Sequence, residues 1–160
     1  MRKLVAIVLL GLSLSACGTQ SPSVPQKSEY ELRSDTHNRL VGQLYAAIDS
    51  GEDLETIQDI AGRVSISSDK LYFTLENGEF PDSVLGYVES VKEAVALEHY
   101  AAQQFMNYEP QDTESSDTLE LSPYRNTCAG FRRSARIETV ASLQLRRSLG
   151  LPDAPVREVT

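Results

Sequence analysis

The chain has 160 residues, 41% of them hydrophobic and 24% charged, which is enough for one modest domain and too little for two. Twenty-three acidic against fifteen basic side chains leave a formal charge of -8, the wrong sign for general nucleic-acid binding. Two cysteines exclude a disulfide-dense scaffold and a four-cysteine zinc site, and without tryptophan the core is mostly aliphatic.

Arg2 and Lys3 open the chain, and Leu4 to Leu14 follow as an apolar run interrupted only by Gly11 and Ser13. That order is expected of a secretory signal peptide. The 14 residues from Leu4 to Cys17 make about 21 Å of helix, short of the roughly 30 Å of bilayer hydrocarbon. The run ends Leu14-Ser15-Ala16-Cys17, which resembles the lipobox of bacterial lipoproteins. The resemblance covers the signal and the cleavage site only. It implies a diacylglyceryl thioether on Cys17, cleavage before that residue and acylation of the new N-terminus. The thiol is the nucleophile such chemistry needs. Several acyl chains together hold a protein stably on a membrane. Gly18, where an aspartate would favour the inner membrane, implies by the same resemblance an outer-membrane protein facing the periplasm.

Beyond the signal peptide of residues 1–16, the pattern divides the chain. Residues 17–28 are the lipidated cysteine and a flexible Ser/Pro/Gln tether, whose residues 18–28 would reach about 36 Å when extended. Residues 29–108 form an acidic helical domain. Its first helix spans 29–49, with Tyr30, Leu40, Val41, Leu44, Tyr45 and Ile48 on one face and Gly51 as its stop. Asp53 caps a short second helix bearing Leu54, Ile57, Ile60 and Ala61. Residues 64–80 read either as a hairpin, with Leu71 to Leu75 the strand and Asn77-Gly78 the turn, or as one short helix capped by Ser68 and Gly78. Residues 82–108 are expected to be the longest helix, capped by Asp82, with Val84, Val88, Val91, Val95, Ala102, Phe105 and Met106 in one stripe.

Residues 109–122 are an acidic, serine-rich linker expected to be disordered. Residues 123–150 are a basic amphipathic helix, with Phe131, Ile137, Ala141, Leu145 and Leu149 on one arc. Arg125, Arg132, Arg136 and Arg147 cluster opposite, flanked by Arg133 and Arg146. Residues 151–160 are a fraying tail. The expected fold is mainly α, a small domain of about four helices behind a lipidated tether, with the hairpin at 64–80 left open.

No phosphate loop, nucleophile elbow or zinc-protease motif occurs, so no catalytic residue, cofactor or metal is assigned. His37 lies in the first helix's apolar stripe and reads as a partly buried core histidine near a helix end, with a pH switch or general base as the alternative. Glu98 interrupts the stripe of the long helix. A charge there needs a partner, and a structural ion pair with an arginine of the last helix is expected. Cys128 reads as a small buried hydrophobe, with an intermolecular disulfide next. The basic face carrying Arg125, Arg132, Arg133, Arg136 and Arg147 fits pairing with the acidic helices, anionic headgroups or an acidic partner.

These readings converge on a non-enzymatic lipoprotein, anchored by Cys17 in the outer membrane, that binds another envelope protein. One alternative is a periplasmic enzyme acting on cell-wall or lipid substrates, favoured by a pocket that gathers His37, Glu98 and a serine. Another is a pilotin-like secretion helper. That reading rests on size and helix content, and Cys128 alone cannot supply the disulfide such pilotins carry.

Overall fold

A computed structural model describes residues 24–109 and 122–154, with side chains over 28–109 and 125–154. Among these residues there are four α-helices and no strand: α1, Val24–Ser50; α2, Leu54–Asn77; α3, Leu85–Met106; α4, Ser122–Ser148. A 3-10 turn, Asp82–Val84, leads into α3.

Each helix buries side chains at alternating spacings of four and three. In α1 these are Tyr30, Ser34, His37, Val41 and Leu44; in α2, Ile57, Ala61, Val64, Ser68, Leu71 and Leu75. The α3 seam is Val88, Val91, Val95, Glu98, Ala102 and Phe105, and the α4 seam is Phe131, Ala135, Glu138, Ser142, Leu145 and Leu149. A repeat averaging 3.5 residues keeps one narrow stripe facing the neighbours of a nearly antiparallel bundle. Contacts between helices fix the up-down-up-down course. Tyr30 near the start of α1 meets Ser142 near the end of α4, and Tyr45 near the end of α1 donates to the Arg132 carbonyl near the start of α4. Gln58 in the first turns of α2 donates to carbonyls at the end of α3.

The seam divides into two apolar clusters. One pole packs Tyr30, Leu71, Leu75, Val88, Leu145 and Leu149, and the other packs Val41, Leu44, Ile57, Phe105 and Phe131. Full burial of one such side chain is worth about 1.5–3 kcal/mol, so each cluster is a substantial core. Between them lie Ser34, His37, Ser67, Ser68, Glu98, Glu138 and Ser142, all buried.

The turns follow their residues. Gly51 takes φ +69 after α1, a conformation glycine adopts without a Cβ clash. Asp53 then accepts from the Thr56 amide at 2.7 Å, capping α2, and those bonds hold its carboxyl below the usual range. Gly150, at φ +65, ends α4 in the same way.

Several expectations are corrected. Residues 64–77 continue α2, because the spacing of Val64, Ser68, Leu71 and Leu75 belongs to a helix seam and outweighs the turn chemistry of Asn77-Gly78. The second helix is therefore long, and the hairpin is absent among the described residues. α1 begins at Val24, five residues inside the expected tether and domain boundary. α3 has 22 residues against 27 in α1 and in α4, so it is not the longest, and Asp82 sits in the 3-10 turn rather than capping α3. Met106 and Ile137 are each 44% exposed, because one lies beyond Phe105 in the α3 seam and the other beside Glu138 in the α4 seam. The chain after Gly150 does not fray at once: Leu151 is buried and Arg147 pairs with Asp153. The signal peptide, Leu14 to Cys17, and residues 110–121 of the linker lie outside the described residues.

Candidate functional site

The buried polar belt holds the chemistry the sequence singled out. His37 sits in the middle of α1, wholly buried, rather than near a helix end. Its Nδ1 lies 2.7 Å from Ser67 Oγ on α2, and its Nε2 lies 2.6 Å from Glu98 Oε2 on α3. Glu98 therefore meets a histidine of α1 where an arginine of the last helix was expected. Nε2 can carry its hydrogen toward an ionised Glu98, and the direction of the Ser67–Nδ1 hydrogen bond follows the ring tautomer. These are the distances of a serine–histidine–acid relay.

Access to this group is limited to the Ser67 side. A general base must also reach the leaving group, and His37 and Glu98 have no exposed surface. Ser67 stands inside α2, where the backbone amides serve the helix and are not free to hold an oxyanion. The arrangement joins three helices through hydrogen bonds and gives each buried polar group a partner.

On α4 the belt continues. Tyr30 and Ser142 share a hydrogen bond of 3.1 Å. Burial pushes the Tyr30 phenol up to about 12, the Ser142 bond opposes that rise and the Glu138 charge adds to it. Arg146, expected on the flank of the basic face, is fully buried. It donates to Asp35 at 2.8 Å, Ser34 at 3.2 Å and the Pro152 carbonyl at 2.8 Å.

The open surface lies elsewhere. Between α3 and α4 runs a groove of about 650 Å³ lined by Leu97, Tyr100, Ala101 and Gln104 on one side and Asn126, Thr127, Gly130, Arg133, Ser134 and Ile137 on the other. Small side chains at Ala101, Gly130 and Ser134 leave the hollow, and a Cβ placed on Gly130 would meet nothing within 4 Å. Leu97 is 50% exposed, Tyr100 63% and Ile137 44%, and Val140 one turn on adds another exposed apolar side chain. No acidic side chain lines the groove. No protein-family model matches this chain, and no curated protein or solved structure does either.

The expected basic face is dispersed. Arg132 pairs with Asp49 of α1, Arg147 with Asp153, and Arg133 enters the groove, while Arg125 and Arg136 stay exposed. Cys128 forms no disulfide among the described residues and is half-buried against the cluster around Phe131. His99 points to α2, with Nδ1 3.0 Å from Asp69. Among the described residues no group of three or more His, Cys, Asp or Glu is placed to hold a metal, and no helix is long and apolar enough to cross a membrane.

The sequence reading missed Ser67, Glu138 and the Leu97–Tyr100 edge, and it gave Ser68 and Arg146 other places, as a helix cap and a flank of the basic face. A signal existed for Ser68 and Glu138: both fall on the four–three repeat of their helices.

Proposed function

We propose that this chain is a small non-enzymatic lipoprotein, held to the outer membrane through Cys17, whose bundle binds another envelope protein in the α3–α4 groove. The exposed strip of Leu97, Tyr100, Ile137 and Val140 carries the reading, since contiguous exposed apolar surface on a monomer marks interaction sites. The fitting partner is an amphipathic helix with apolar anchors and a carboxylate near Arg133. From Asn126 to Ile137 the groove follows about 16 Å of α4, or three turns.

The experiment is co-purification of the acylated chain from native membranes, comparing wild type with Tyr100→Ala and Ile137→Ser. A discrete partner retained by wild type and lost from both variants supports the reading. Equal recovery from all three removes the groove from it. For the anchor, Cys17→Ser should leave an unprocessed or soluble precursor, and normal processing with lipid labelling would overturn that assignment.

A periplasmic hydrolase is the second reading, favoured by the Ser67–His37–Glu98 distances. It requires Ser67→Ala to abolish a measurable ester or amide hydrolysis. The burial of His37 supports the binding module over it.

A further inference from the structure

Across the bundle, a second hollow of about 220 Å³ lies between α1 and α2, lined by Arg33, Thr36, Arg63, Ile66, Ser67 and Lys70. Its charge is unlike its surroundings. Residues 29–120 carry five basic side chains against twenty acidic ones, yet three of the five converge here and no acid lines the hollow. The spacing does this: Arg63, Ile66, Ser67 and Lys70 recur at i, i+3, i+4 and i+7 on one face of α2, opposite Arg33 and Thr36 one turn apart on α1.

The cations are held ready rather than neutralised. Neither Arg63 nor Lys70 forms an ion pair among the described residues. Arg33 has only Glu29 at 3.7 Å, one helical turn away and half-exposed. The Arg33 Nε–H is shut off from solvent and meets no acceptor among the described residues. A buried donor left open costs free energy, and the half-exposed Arg33 side chain can turn that donor toward an acceptor bound in the hollow.

We propose that this hollow is a binding site for a phosphate group carried on a small ester, such as a phospholipid headgroup or a soluble phosphomonoester. Two guanidinium groups and an ammonium present more donors than a planar carboxylate with two oxygens can use, and a tetrahedral, multiply charged phosphate uses them. Thr36 and Ser67 add hydroxyls at the same wall. The hollow has room for about seven water molecules at liquid density. That exceeds the five heavy atoms of a phosphate, and Ile66 faces the space left for the ester. Ser67 Oγ is also the His37 contact, so an occupant touching Ser67 reaches the His37–Glu98 pair through one hydrogen bond.

The test follows the arginine Nε–H and His37 ring signals of the full chain in neutral detergent by NMR during titration with inorganic phosphate. Saturable shifts are expected at Arg33 and Arg63 and, through Ser67, at His37. Arg63→Gln with Lys70→Gln should weaken binding at least about tenfold per charge removed. Arg39→Gln, an exposed α1 arginine outside the hollow, should leave it unchanged. A parallel arm follows the same arginine and His37 signals in zwitterionic bicelles with and without phosphatidic acid. Saturation by free phosphate identifies a soluble ligand, and response only to phosphatidic acid identifies a headgroup. Shifts spread equally over all arginines, or a double variant that binds as wild type does, would overturn the proposal. So would an absence of response in both arms.

Discussion

Replacing His37 by leucine leaves the Glu98 carboxylate buried beside an apolar side chain where an imidazole stood 2.6 Å away. Neither group has exposed surface in the folded chain, so solvent does little to screen the loss. Removing one member of a buried pair costs about 3–5 kcal/mol, a large share of the 5–15 kcal/mol that stabilises a typical domain. For a bundle of this size that lowers the melting temperature by roughly 10–25 °C. Glu98→Leu should cost less, about 1–3 kcal/mol, because the imidazole keeps its Ser67 bond. The double variant should cost well below the sum of the two single costs, because replacing both partners by leucine removes the buried charge together with its need for a partner. Urea unfolding followed by helical circular dichroism measures all four corners of the cycle. Strictly additive costs, or a His37→Leu variant within about 0.5 kcal/mol of wild type, would refute the argument that the pair acts as a unit.

Other perturbations test the remaining parts of the belt and its ends. The Tyr30 phenol is raised from 10.0 to about 12, so its contribution is fully present below pH 10 and is lost as pH rises through 12. The loss is worth up to about 3 kcal/mol, and Tyr30→Phe should flatten that part of the alkaline stability curve. Arg146→Met should cost about 1.5–3 kcal/mol by loss of charge-assisted bonds, and should release Leu151, read as faster amide exchange there. Asp53→Ala should lower the melting temperature at neutral pH. Because the folded carboxyl lies below its ordinary value, the difference from wild type should shrink as pH falls through that lowered value.

Much of the fold was legible in the apolar spacing. The face of Tyr30, Val41 and Leu44 and the valine series of α3 are buried as expected, and Gly51 and Asp53 act as stop and cap. The α2 region misled because Asn77-Gly78 is a strong local turn signal, whereas the helix there is held by packing against α1 and α3, which a local window does not contain. The partner of Glu98 was hidden for a related reason. Net charge drew attention to the arginines of α4, but antiparallel order brings the middle of α1, not an α4 arginine, to the middle of α3. The basic face looked continuous on a wheel. Arg132 and Arg146 had short acidic neighbours within reach on α1, and local pairing took them out of it.

Four antiparallel helices bring both ends of the described chain to one pole. Tyr30 of α1 and Leu151 beyond α4 share a cluster there, while the Ser50–Asp53 turn lies at the opposite pole. Joining Ala154 to Ser28 through a short linker and reopening the chain between Gly51 and Asp53 should therefore give a circular permutant with the same core. The same arrangement governs where a label can be carried. A fluorescent domain inserted at Gly51 projects from the pole remote from Val24, whereas one fused after Ala154 lies at the same pole as Val24. If Cys17 holds the chain on a membrane as proposed, fluorescence transfer to a dye in the bilayer should be stronger for the second fusion than for the first, turning the up-down-up-down order of the helices into a measured height above that membrane.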